Sequence, residues 1–319
     1  MNMHLNGSNI IKNLLVAKNK NILIPPFLFF LRFIRLSLMN KKELINSIKK
    51  YLLASPAIII SILFFIIPFI LLIFVSFTEK SSFFFTPKIT LANFYKAFTL
   101  YRFDYQNTLF LSASAALLDV IFGYPFAYLM TRKIKRFSDL FRSILLIPLF
   151  GELYIAFGLW YLFLPKGPLA PLFEKFGIEV FKAFYSLPSA IIALAIYTFP
   201  FAVLQIGIAL SEIDPVYEEA ASCLGAGPLN KLFKILIPLS MPGILSGWLM
   251  AFGWNLGAYA IPLLMGGAIV GQRVVSVQIR AISLMMMDFG MGAALAVSLV
   301  FLAIFAAALS IKIGKGELI

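Results

Sequence analysis

Six apolar blocks, separated by polar segments that hold most of the charge, set the plan of this 319-residue chain. They run Leu52–Phe77, Asn107–Leu129, Phe141–Leu164, Leu187–Leu210, Pro242–Leu264 and Met291–Ile313. A helix needs about 20 apolar residues to cross a bilayer, and each block meets that length. The first, LLASPAIIISILFFIIPFILLIFVSF, is long enough to cross with tilt. Pro68, Pro125, Pro148 and Pro200 lie inside blocks. Such breaks are tolerated where neighbouring helices satisfy the freed backbone groups. The pattern predicts an all-α integral membrane protein with six transmembrane helices.

Composition agrees. Hydrophobic residues make up 61% of the chain, against about 45–50% in a soluble domain. The net charge of +13 would suggest nucleic acid in a soluble protein. Here the basic residues lie in the polar segments, where they report topology instead. Segments 1–50, 130–142, 211–241 and the tail after 311 carry 18 of the 27 Lys and Arg. The alternate segments, 78–106, 165–186 and 265–290, carry 9. The positive-inside rule places the first set, with both termini, in the cytoplasm. Block 130–142, with five basic residues, weighs most.

Residues 1–50 form an expected cytoplasmic extension ahead of a 51–319 transmembrane domain. Asn21–Met39 is apolar but contains Arg32, Arg35 and Pro25-Pro26, and each central Arg costs about 2.5–3.5 kcal/mol on insertion. An interfacial helix fits it better than a span. Met39 is an alternative start, leading a basic amphipathic stretch into the first block. A cleaved signal peptide is not expected, since no small-residue cleavage site follows the apolar run.

One Cys (Cys223) and one His (His4) exclude a disulfide framework and Cys/His metal sites within a single copy. The chain has no G-x4-G-K-[ST], so no P-loop binds nucleotide. G-x-S-x-G and H-E-x-x-H are also missing. No catalytic, cofactor or metal residues are assigned.

The 211–241 segment, SEIDPVYEEAASCLGAGPLNKLFKILIPLSM, is unusually organised for a loop. Asp214-Pro215 reads as a helix cap with Pro in the first turn. Gly225-Ala226-Gly227 breaks that helix. Pro228 opens a second helix, with Leu229, Leu232, Phe233 and Leu236 on one face, and Pro238 and Pro242 end it. Two short helices at an angle on the cytoplasmic surface are expected, with a face that must dock on something or sit in the interface.

This loop resembles the EAA loop of ABC importer permeases. Glu219, Ala220, Ala221, Gly225, Ile235 and Pro238 fit the pattern EAA-x3-G-x9-I-x-L-P, with Ile237 at the usual Leu position. Asn107-Thr108-Leu109, Gly123-Tyr124-Pro125-Phe126-Ala127-Tyr128 and Leu146-Ile147-Pro148-Leu149 resemble the same class. Ala258–Gly267 with Gly292–Ala296 is similar to the spermidine/putrescine branch; iron(III), thiamine and phosphonate permeases share much of it. The resemblance implies the type I importer permease (MetI-like) architecture in a bacterial inner membrane. It implies no enzymatic activity in this chain, since ATP is bound by a separate cytoplasmic ATPase that grips the loop. The implied partners are that ATPase, a second permease subunit, identical or homologous, and an extracytoplasmic solute-binding protein.

Acids inside spans are functional candidates. Asp119 and Glu152 qualify for the translocation path, or each bonds a neighbouring helix. Trp254, Asn255 and Tyr259 lie near the middle of the fifth block, where the aromatic faces can hold an ammonium by cation–π attraction; alternatively Gly253 and Gly257 allow close packing that Asn255 bridges by hydrogen bonding. Arg273, Arg280 and Asp288 fall in an outer loop, as solvated surface or as a docking site for a binding protein. An ion-coupled secondary transporter would use Asp119 and Glu152 as coupling carboxylates but leaves the two-helix loop unexplained. A structural membrane subunit is the third reading.

Overall fold

The computed structural model describes residues 55–56, 59–79, 88–133, 138–164, 166–175, 177, 185–267, 269 and 271–314. The 1–50 extension and the alternative start at Met39 lie outside the described residues. The chain divides into two units, Met1–Pro68 and Phe69–Ile319.

In the first unit the described residues 55–56 are helical, and α1 (Ile59–Ser76) begins at Ile59 and runs past Pro68 into the second unit. Its turn over Ile62–Ile66 is π-type, with Ile67 N–H bonded to Ile62 O. Pro68 follows directly. A proline ring clashes with the carbonyl four residues earlier, and a widened turn relieves that clash. The same device recurs at Leu232–Leu236, where Ile237 N–H reaches Leu232 O just before Pro238.

The second unit contains α2 (Ala92–Leu100) and α3 (Arg102–Lys133), then α4 (Ser138–Leu145) and α5 (Glu152–Leu162). Next come the short α6 (Ala170–Glu174) and the long α7 (Leu187–Glu212). The loop helices α8 (Val216–Cys223) and α9 (Pro228–Leu239) follow. The chain continues with α10 (Met241–Leu256), α11 (Ala260–Leu264), α12 (Val275–Met285) and α13 (Phe289–Ile313). Among the described residues there is no strand beyond an isolated Thr78–Ile89 bridge.

Among the described residues four helices, α1, α3, α7 and α13, are long and apolar enough to cross a membrane, and the number reaches six if each of two bent pairs counts as a span. The third apolar block is not straight: Ser143–Phe150 and Glu152–Leu162 meet at 88°. The fifth is also interrupted. α10 stops at Leu256, and residues 257–259 turn the chain into α11. The second block is longer than its apolar core implies, because Arg102 and Lys133 add polar turns at both ends of α3.

The core of this unit is built from α3, α7, α10 and α13, with α7 lying along α3 and α10 touching the other three. Apolar burial does not drive association inside lipid, so close packing of small residues must. A Cβ on Gly247 would lie 3.2 Å from Ala202 Cα, and one on Gly243 would collide with Ala209. Gly253 meets only ordinary contacts with α13. Outward faces expose Phe110, Phe122, Ile192, Phe301 and Phe305, as lipid contact requires.

Candidate functional site: the 211–241 loop and the polar joints beneath it

The loop folds as two helices because its ends are capped locally. Asp214 Oδ1 accepts the Val216 N–H at 2.9 Å and so caps α8. At the other end Gly225 adopts φ +82°. Ala226 N–H bonds Ala221 O at 2.9 Å and Gly225 N–H bonds Ser222 O at 3.0 Å, the paired bonds of a Schellman stop. Lys231 Nζ donates to Ser222 Oγ at 3.0 Å and ties α9 back to α8. α9 meets α10 at 68°. Pro238 lies inside α9, and the bend falls at Ser240, past Leu239.

The two helices sort their apolar residues between two faces. Leu236 is buried with Tyr124, Val203, Ile206 and Leu210, and Leu232 packs against that cluster. Ala221 is buried as well. Leu229 and Phe233, expected on the same face as Leu232 and Leu236, instead point outward at 69% and 63% exposure, and Leu224 reaches 89%. Val216, Tyr217, Glu219, Ala220 and Gly225 are exposed too, while Ile235 is half-buried and Pro238 exposed. Leu224, Leu229 and Phe233 are thus large apolar side chains that this chain leaves uncovered on the loop.

The loop is tied to α3 at two points. Arg132, in the last turn of α3, forms an ion pair with Glu218 at 3.0 Å. Its Nη2 also donates to Ile213 O at 2.6 Å, at the end of α7. Nearer the core, Tyr124 OH and Ser240 Oγ lie 3.2 Å apart, and Ser240 Oγ donates to Leu236 O at 2.6 Å. Sequence reasoning missed Arg132, Glu218, Tyr124 and Ser240. Only the Arg and Glu types, at the edges of two segments assigned to one membrane side, hinted at a pair.

Among the residues singled out within the spans, Asp119 and Asn255 come together and the others do not join them. Asp119 is fully buried on α3. Thr198 Oγ1 on α7 lies 2.6 Å from its Oδ2, and Asn255 Nδ2 on α10 donates to Thr198 Oγ1 at 3.1 Å. This polar joint ties three core helices at one level. Asp119 also borders an otherwise apolar cavity of about 640 Å³ between α3, α4 and α7.

Glu152 stands elsewhere. Its carboxylate accepts the backbone N–H groups of Tyr259 at 3.2 Å and Ile261 at 2.8 Å. α11 has no side-chain cap of its own, so an acid from α5 supplies one. Trp254 is half-exposed; its Nε1 donates to Tyr197 OH at 2.9 Å and its ring stands 4.9 Å from Phe201. Tyr259 lines an open groove of about 660 Å³ with Ser276, Arg280, Ser283 and Leu284. Among the described residues no three His, Cys, Asp or Glu side chains gather as a metal site would need.

Residues 119–312 match the family described as the binding-protein-dependent transport system inner membrane component. A spermidine/putrescine transport system permease protein, PotB, of Haemophilus influenzae is 30% identical over 233 residues, covering 71% of this chain and 81% of that protein. The molybdenum transport system permease protein ModB of Azotobacter vinelandii is 28% identical over 174 residues, covering 54% and 76%. A chain of the bacterial alginate ABC transporter, crystallised with an alginate pentasaccharide-bound periplasmic protein, superposes with a TM-score of 0.67 at 20% identity, covering 86% of this chain and 98% of that one. The matched region takes in the polar joint, the 211–241 loop and all the core helices from α7 onward, and the chain belongs to the binding-protein-dependent transport system inner membrane component family.

Proposed function

We propose that this chain forms half of the translocation path of an ATP-driven importer, and that its 211–241 loop is where a separate cytoplasmic ATPase takes hold. The carrying observation is the division of the loop into a face buried against α3 and α7 and a face that exposes Leu224, Leu229, Phe233 and Glu219. A rigid two-helix element with one anchored and one free apolar face can transmit force between two bodies. ATP binds to the partner ATPase, and this chain, as a permease subunit, is not itself an enzyme. A second permease subunit completes the path and an extracytoplasmic binding protein delivers the solute; the alginate transporter, crystallised with its periplasmic protein, supports this assembly by analogy of fold. Both termini and the loop face the cytoplasm, a placement supported by the basic residues of 130–142.

Closure of the ATPase dimer moves the loop, and the core helices follow, so the path opens alternately to each side. Asp119 and Asn255 hold the helices together at mid-bundle, and Glu152 holds α11. Trp254 and Tyr259, which reach the surface of this chain, are the residues placed to meet cargo. A polyamine is the cargo we favour, supported by the PotB similarity, and aromatic faces suit its ammonium groups.

One observation favours a second cargo class. Arg280 is exposed in the Tyr259 groove, and a fixed cation there would repel a polycation and attract an anionic solute such as a phosphonate. Uptake of labelled spermidine and of a labelled phosphonate by the assembled transporter separates the two.

The docking itself is tested with Glu219→Lys. It should abolish uptake while membrane insertion stays normal. Uptake at the wild-type rate would reject the loop as the ATPase contact.

A further inference from the structure

The loop's two ties to α3 assign a role to that helix. Arg132 and Tyr124 stand eight residues apart on α3, about 12 Å along the axis. Arg132 holds the start of the loop through Glu218 and Ile213 O, and Tyr124 holds its end through Ser240. Both loop helices are also joined to each other through Lys231 and Ser222. Displacing the outer face therefore loads one helix at two points. We propose that Arg132 is a positioning residue for energy coupling: it locks α8 to α3, so that movement of the loop shifts α3 rather than flexing the Ile213–Asp214 joint. The proposal rests on the reading of the loop as the ATPase contact.

The chemistry of the lock favours Arg. A planar guanidinium can face two partners in different directions: here Nη2 donates to the Ile213 carbonyl just past α7, and Nε stands in ion-pair range of the Glu218 carboxylate. The carbonyl end of a helix favours a cation. Both partners are largely shielded, with side chains 12% and 19% exposed, so the pair is stronger than one in open water. Without it the extended residue Ile213 (φ −78°, ψ 119°) leads into α8 with no side-chain tie to α3 at that end. α3 also carries Asp119, the acid of the mid-bundle joint, so a load at Arg132 reaches the level of Thr198 and Asn255 along one helix.

The test uses the full transporter, permease pair and ATPase, in proteoliposomes with its binding protein. Cys223, exposed on α8, is labelled with a photoreactive maleimide to report contact with the ATPase. Arg132→Gln should keep the Cys223 cross-link and continue to hydrolyse ATP, while solute taken up per ATP falls about tenfold, within the range of allosteric coupling energies. Glu218→Gln breaks the pair from the other side, leaves the Ile213 bond intact, and should lower the ratio less; it also serves if Arg132→Gln fails to assemble. Arg132→Glu combined with Glu218→Arg should recover several-fold over Arg132→Glu alone. An unchanged uptake-to-ATP ratio in Arg132→Gln and Glu218→Gln, or no recovery in the swapped pair, overturns the proposal. Loss of the cross-link in Arg132→Gln alone also overturns it, because Arg132 would then act on docking. No cross-link in the wild-type complex would instead sink the docking reading, and the proposal with it.

Discussion

The Glu152 carboxylate at the start of α5 accepts the backbone N–H of Ile261, 109 residues further on, at 2.8 Å. With the Tyr259 N–H at 3.2 Å it satisfies two donors at the head of α11 that local sequence leaves open. This bond pins the bent third segment to the interrupted fifth.

Replacing Glu152 with Ala should orphan both N–H groups and cost about 1–3 kcal/mol. Glu152→Gln keeps an acceptor and should lose less. Thermal unfolding in detergent reads the difference. If Glu152→Gln unfolds like wild type yet abolishes uptake of a cationic solute, Glu152 contacts cargo and its capping is secondary.

The Asp119–Thr198–Asn255 joint predicts that Thr198→Val, nearly equal in shape, is destabilising. It removes the hydroxyl that faces both Asp119 Oδ2 and Asn255 Nδ2, and buried polar groups without partners are costly. A loss of about 1–3 kcal/mol is expected, with Thr198→Ser close to wild type. Equal stability of the Val and Ser variants would show that the hydroxyl carries nothing.

Gly225 separates backbone strain from partner contact. Its φ of +82° disfavours side chains, yet a Cβ there would meet nothing within 4 Å in this chain. Gly225→Asn tolerates that conformation and Gly225→Val does not. Both should leave the permease folded, since the strain is only about 1–2 kcal/mol. If Asn abolishes uptake as fully as Val does, the ATPase surface, and not the turn, excludes the side chain.

Gly243 tests the packing that holds α7 to α10. Gly243→Leu must push α10 off Ala209 and the Gln205 carbonyl, and overpacking typically costs about 1–3 kcal/mol. Gly257→Ala, whose nearest atom beyond its chain neighbours is the Trp254 carbonyl oxygen at 3.9 Å, should be mild. A reversed order in melting temperature would contradict the described α7–α10 contact.

The two candidate acids show where sequence reading reached its limit. Their presence inside apolar blocks was plain, because a charge in lipid is conspicuous by type alone. Their partners were not, since Thr198 is 79 residues from Asp119 and the Tyr259 N–H is 107 from Glu152. The EAA-type spacing was legible because caps, Gly stops and Pro starts act over a few residues. The split of Leu229 and Phe233 from Leu232 and Leu236 was not, because helical spacing puts all four near one side and only contact with α3 and α7 decides which are covered.

The sequence by itself determined the all-helical plan, the apolar character of the long helices and the two-helix form of 211–241, and it supports the membrane side proposed for the basic loops. These follow from local composition, backbone propensity and the length a bilayer demands. The tertiary structure alone decided where the third and fifth blocks break, that Glu152 caps α11, and that Arg132 meets Glu218. Lipid is indifferent to which apolar faces meet, so the register between helices comes from close contacts of small residues such as Gly243 and Gly247, and polar side chains far apart in the chain find one another only after that register is set.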